Sequence, residues 1–169
     1  MPHGPVAQCP PMLTILAFIL ATAFPSSSKT SWMRPESFHL SIGMSRSDAL
    51  GKLRDGGWKA QKGDDASHVV VDYSGTQSLT LEFRKERLHS IRFELFTILS
   101  QIGGAFEEEK AYLRKAFGKP KPVKSKTMLL YDSTLPNIMA VVSNDPKSES
   151  GKRGLGVLVV RYYDPLLGK

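Results

Sequence analysis

SLTLEFRKERLHSIRFEL, residues 78–95, is the stretch that decides the fold class. Leu79, Leu81 and Phe83 alternate with Ser78, Thr80 and Glu82, and after a charged tip, Arg84-Lys85-Glu86-Arg87, Ile91, Phe93 and Leu95 alternate with Ser90, Arg92 and Glu94. A period of two on both sides of a short polar turn is the pattern of an antiparallel hairpin with one face buried and one wet. Upstream, Val69 to Tyr73 reads as a further strand with Ser74-Gly75 as its turn.

Helices flank this hairpin. Ser45 is placed to cap a helix over 45–55, with Asp48 three residues on, an apolar stripe of Ala49, Leu50 and Leu53, and Gly56-Gly57 as the stop. Phe38-His39-Leu40 before it reads as a short extended piece. Downstream, Ile102, Phe106, Leu113 and Phe117 recur at helical spacing, with Glu107, Glu108 and Glu109 read as solvated first turns. Arg114, Lys115 and Lys119 suit the negative end of that helix, and Gly118 and Pro120 close it. Three more strands are expected, at 127–131, 138–143 and 155–163. The expected architecture is α+β, in the order α-β-β-β-α-β-β-β, with two helices packed on one face of an antiparallel sheet.

The N-terminus reads as an address. MLTILAFILATAF, residues 12–24, is an apolar run of 13 residues bounded by prolines. As a helix it spans roughly 20 Å, short of the ~30 Å hydrocarbon core, so a signal-peptide core fits better than a membrane span. Ala21-Thr22-Ala23 marks residues 1–23 as the signal peptide, with cleavage before Phe24. A basic leader is missing, since residues 1–28 hold no Lys or Arg, and Met12 is an alternative start. The alternative to export is a retained N-terminal membrane anchor. Residues 24–36, Ser-rich with Pro25 and Pro35, read as a flexible tether, and 37–165 as a single domain.

The 169 residues are 41% hydrophobic and 23% charged, which excludes a wholly disordered chain and a multi-span membrane protein. The single cysteine, Cys9, excludes a disulfide scaffold and a cysteine-ligated zinc site.

Two segments resemble a known family. Ile42-Gly43-Met44-Ser45, with Ala49 and Leu53, is similar to the opening of the first helix in the SmpA/OmlA (BamE-like) bacterial envelope domains. The run Leu113 to Pro120 resembles the L-x-x-x-[YF]-G-x-P helix end common in that group. The wider fold group includes the β-lactamase inhibitor protein, with tandem helix-plus-sheet repeats. The resemblance spans 37–165 in order of elements and implies a periplasmic or secreted domain that binds other proteins. Cys9 precedes the apolar run, so no lipobox supports lipid anchoring.

No catalytic signature stands out, and the chain is read as a non-enzyme without cofactor or metal. His39, His68 and His89 show no close metal spacing, and a metal built from them with Asp64 or Asp65 is the minor alternative. No G-x-S-x-G occurs, so a hydrolase would need dispersed residues. Gly154-Leu155-Gly156 opens a strand, where a phosphate loop would open a helix.

Protein contact is assigned to Trp58, to the hairpin-tip residues Arg84, Lys85 and Arg87, and to Tyr162 and Tyr163. Consecutive tyrosines on a regular strand face opposite ways, and aromatics are common contact anchors. The alternative is an anionic lipid or polysaccharide ligand on Lys119, Lys121, Lys124 and Lys126. Residues 101–169 carry +5 of the net +7. The competing explanation is edge-protecting lysines. Nucleic acid is not expected as a partner of an exported chain without an aromatic-interleaved basic motif.

Overall fold

Val71, Leu79, Phe93, Val160, Ala140 and Leu129 stand directly opposite one another across six strands, and all are buried. Two residues along, Val69, Leu81, Ile91, Tyr162, Ile138 and Tyr131 form a second buried row. These rows are the core face of one seven-stranded sheet, every pair of which is antiparallel. The computed structural model describes residues 30–63, 65–132, 137–143, 147 and 149–167.

The elements run α1 (Arg46–Asp55), β1 (Ala60–Lys62), β2 (His68–Ser74), β3 (Gln77–Arg84), β4 (Arg87–Ile98), α2 (Leu99–Phe117), β5 (Met128–Tyr131), β6 (Asn137–Ser143), a short α3 (Glu149–Lys152) and β7 (Leu155–Tyr163). The strand order is β1-β2-β3-β4-β7-β6-β5. Two three-strand meanders, β2-β3-β4 and β5-β6-β7, thus join through their last strands. The α+β class is as expected. The order departs from α-β-β-β-α-β-β-β by the additional strand β1 and by α3. β1 carries no apolar alternation to announce it: Ala60, Gln61 and Lys62 are all exposed.

Ser45 caps α1 as its sequence position predicts, accepting the Asp48 N–H at 3.1 Å. The hairpin tip turns on Lys85 and Glu86, both at positive φ (48° and 59°), and a register shift after Glu82 makes His89 an extra residue in β4. That shift buries Leu88, His89, Ser90 and Ile91 in succession. α2 buries Ile102, Phe106 and Leu113, and a Cβ on Gly156 in β7 would lie 2.9 Å from Ile102, so helix and strand approach closely there.

Three expectations are corrected. Residues 30–36 are not a flexible tether: Thr30, Trp32, Met33, Arg34 and Pro35 are buried, and only 24–29 of that stretch lies outside the described residues. The reason is aromatic packing. Trp32 meets the edge of Phe93 at 5.7 Å, Phe38 packs on Phe93 at 5.8 Å and on Trp58 at 5.3 Å, and the Tyr162 hydroxyl donates to the Met33 carbonyl. His39 is not on a strand, because Pro35–Phe38 is a 3-10 turn that ends on His39 at φ 54°. Glu109 is not solvated, because α2 begins at Leu99 and carries it into the core.

The signal-peptide reading of 1–23 falls outside the described residues. Among the described residues, no helix is long and apolar enough to cross a membrane.

Candidate functional site

The face of the sheet opposite the core is divided by chemistry. Across β2, β3, β4 and β7 it carries His68, Glu82, Ser90 and Tyr163 in one row and Val70, Thr80, Arg92 and Arg161 in the next. Arg92 and Arg161 stand directly opposite, a repulsive pairing unless each is compensated. Each has its own glutamate: Arg161 donates to Glu82 at 2.6 Å and to Ser90 at 2.7 Å, and Arg92 to Glu94 at 2.5 Å. Ser78 donates to the second Glu94 oxygen at 3.1 Å.

The other half of this face is apolar. Met128 and Leu130 of β5, Met139 and Val141 of β6, and Val159 of β7 lie side by side, each half-buried. The long helix α2 does not cover them. α2 sits on the core face, as the Ile102 approach to Gly156 requires. Beyond this patch, where β4 runs into α2, Phe96, Ile98, Gln101 and Leu155 line a groove of about 420 Å³, with Ile98 half exposed.

The residues expected to meet a partner do not converge. Tyr162 is corrected outright: it is 2% exposed, packed edge-on against Phe93, and belongs to the core. Tyr163 faces the open side, with the Arg161 guanidinium 5.4 Å from its ring. Trp58 is half-buried against Phe38. Arg84, Lys85 and Arg87 are exposed at the tip, where Arg87 also ties the hairpin to the start of α1 through the Gly43 carbonyl. Lys119, Lys121, Lys124 and Lys126 are exposed. Lys121 is the most constrained: its N–H donates to the Leu130 carbonyl at 2.7 Å, and its ammonium pairs with Asp132. The segment thereby closes the β5 edge.

The strongest polar cluster missed from sequence lies on the core side. Arg34 pairs with Glu109 at 2.8 Å with both side chains buried, stacks its guanidinium 3.4 Å from the Tyr112 ring centre, and donates to the Thr30 and Met33 carbonyls. Burial raises the Glu109 carboxyl above its ordinary range despite Arg34. Burial lowers His89, and the nearby Arg84 lowers it further; its Nδ1 has no partner among the described residues.

Ser67, His68 and Asp65 invite comparison with a catalytic triad, and the geometry rejects it. Asp65 Oδ1 and Ser67 Oγ both meet the same ring nitrogen, Nδ1, at 2.8 and 3.1 Å. A triad needs acid and nucleophile on opposite ring nitrogens. Hydrogen bonds from Ser67 and His68 hold the Asp65 carboxyl well below the usual range, as in a turn-stabilising aspartate. Among the described residues no group of three His, Cys, Asp or Glu is placed to hold a metal ion. No family model matches the chain, and neither a curated protein nor a solved structure does.

Proposed function

We propose that the chain is an exported, non-catalytic interaction module that docks another envelope or extracellular protein on the open face of its sheet. The observation that carries this reading is the apolar patch of Met128, Leu130, Met139, Val141 and Val159 beside a charged, internally compensated strip. Apolar side chains shared by adjacent strands gain from a partner's cover, and the fixed charges beside them supply orientation and specificity. The leader-like N-terminus supports export, and the resemblance to small bacterial envelope domains favours a protein ligand. The contact residues are then the open-face set with Tyr163, in place of Tyr162.

The test is affinity capture from the host's envelope extract with the full chain as bait, beside a Met139→Lys/Val141→Glu variant. A stoichiometric protein that survives high salt and is lost with the variant is the expected result. A partner retained equally by both proteins refutes the open face. Lipid or polysaccharide captured at low salt only, and lost in a Lys119→Gln/Lys121→Gln/Lys124→Gln/Lys126→Gln variant, refutes the protein-binding reading.

A further inference from the structure

The two edges of the sheet are unlike. β5 is shielded by Lys121, bridged to Leu130 and flanked by Pro120 and Pro122, which have no N–H to offer. β1 pairs with β2 on one side, no described residue bonds to its other side, and all three of its residues are exposed.

Its free backbone groups can be identified. The Gly63 N–H donates to the His68 carbonyl at 3.0 Å while the His68 N–H turns to the Asp65 carbonyl, so Gly63 and His68 stand at a hydrogen-bonded position of the ladder with one of its two bonds made. In an antiparallel ladder such pairs alternate. Gln61–Val70 is therefore the next bonded pair, and Ala60 and Lys62 turn their N–H and C=O groups outward. Four backbone groups are set at the spacing an added antiparallel strand requires.

A wall and a charge accompany this edge. Arg46 and Leu50 of α1, with Ala60, Lys62 and Val69, line a groove of about 260 Å³. Between Arg46 and Lys62 there are five basic and two acidic side chains. Asp65, further on, is engaged by Ser67 and His68.

We propose that β1 is a docking edge that takes up an extended acidic segment of a partner protein as an eighth, antiparallel strand. The proposal rests on the binding-module reading but uses a different surface. Register gives the preferred segment. The residue opposite Lys62 is acidic, the one opposite Gln61 faces the open side, the one opposite Ala60 is aliphatic and meets Leu50, and the one opposite Lys59 is acidic. Read from its N-terminus the segment is Glu-Thr-Val-Glu. A second copy of the chain is the poorer occupant, because two basic edges would then face each other.

The probe is an eight-residue capped peptide with Glu-Thr-Val-Glu at its centre, added to the full chain beside a scrambled peptide of the same composition. Amide hydrogen exchange should slow at Ala60 and Lys62, and the scrambled peptide should bind at least tenfold more weakly. Ala60→Pro removes an outward donor and no internal sheet bond, so it should weaken binding at least tenfold with an unchanged melting temperature. Lys62→Gln should weaken binding several-fold and flatten its salt dependence. Should Ala60→Pro not fold, the exchange result alone decides. Protection elsewhere than β1, equal binding of the scrambled peptide, or unaltered binding by folded Ala60→Pro overturns the proposal. Protection of Ala60 and Lys62 that grows with protein concentration without peptide overturns it in favour of self-pairing. Loss of the captured partner with Met139→Lys/Val141→Glu, together with failure of the peptide, leaves the binding module standing and removes only the edge.

Discussion

Replacing Arg34 by methionine keeps much of the side chain's length and removes its charge, which isolates what the buried ion pair contributes. In the native protein Arg34 and Glu109 are 2.8 Å apart, with side chains 9% and 0% exposed. Removing one partner of a buried pair leaves an uncompensated charge, at about 3–5 kcal/mol. The Thr30 and Met33 carbonyls also lose one of two donors, at about 1 kcal/mol each, and the Tyr112 ring loses a cation worth about 0.5–2 kcal/mol. These losses share one geometry and do not add fully. A net cost of about 4 kcal/mol lowers the melting temperature of a domain this size by about 12–20 °C. The companion variant Arg34→Met/Glu109→Leu removes both charges and should recover most of the loss, to within about 1.5 kcal/mol of the native protein. Thermal and urea unfolding of the native chain and three variants, with Glu109→Leu completing the cycle, give the coupling energy directly. A single variant that melts within about 3 °C of the native protein, or a double variant no better than the single, refutes this account of how residues 30–40, a strap packed on the core face, are attached.

Acid stability should show two opposed slopes. His89, lowered by burial, contributes stability that is present above its ordinary value of 6.5 and lost as pH falls toward its folded value. Glu109, raised by burial, contributes stability that is full below its ordinary 4.5 and lost as pH rises through its folded value. Melting temperatures between pH 4.5 and 6.5 should therefore fall less on acidification in His89→Gln and more in Glu109→Gln, and a native slope in both variants contradicts the assignment. Gly156→Ala puts a methyl 2.9 Å from Ile102 and should cost about 1–3 kcal/mol by unfolding titration, with partial recovery in Gly156→Ala/Ile102→Val. Gly103→Ala and Gly104→Ala meet nothing within 4 Å on an exposed stretch of α2 and should each stabilise by about 0.5–1 kcal/mol, read as a rise in the urea midpoint.

Local patterns were legible and non-local ones were not. The β3–β4 alternation, the Ser45 cap and the Gly118 stop are written in neighbouring residues, and all three stand where the pattern puts them. The strap escapes a reading from sequence because irregular backbone has no period to detect. Its available signal was composition: Trp32, Met33 and Phe38 are large apolar residues in an otherwise polar stretch. Glu109 falls three residues after Phe106 and four before Leu113, so periodicity alone places it inward; its charge argues against that until Arg34 is known to meet it. The tyrosine pair shows a limit of another kind. Alternation says that one ring points out, and only the register of β7 against β4 identifies it as Tyr163. The open face and the β1 edge depend on which strands are neighbours, a relation that one strand's residues do not encode.

The strap's attachment to the last strand sets the order in which this chain can fold. Tyr162 reaches back 129 residues to Met33, and Arg161 reaches back 71 residues to Ser90 and 79 to Glu82. Contacts of such separation close large loops, and their entropic cost falls before any packing is gained. The meander β2-β3-β4 can form from near neighbours, but one side of β4, the central strand of the sheet, waits for β7. A chain emerging N-terminus first therefore carries an undocked strap until β7 arrives, and completes its core in one late step. Truncation just before Leu155 should then leave no native subdomain at all, because it withdraws the strand that the strap and both meanders share.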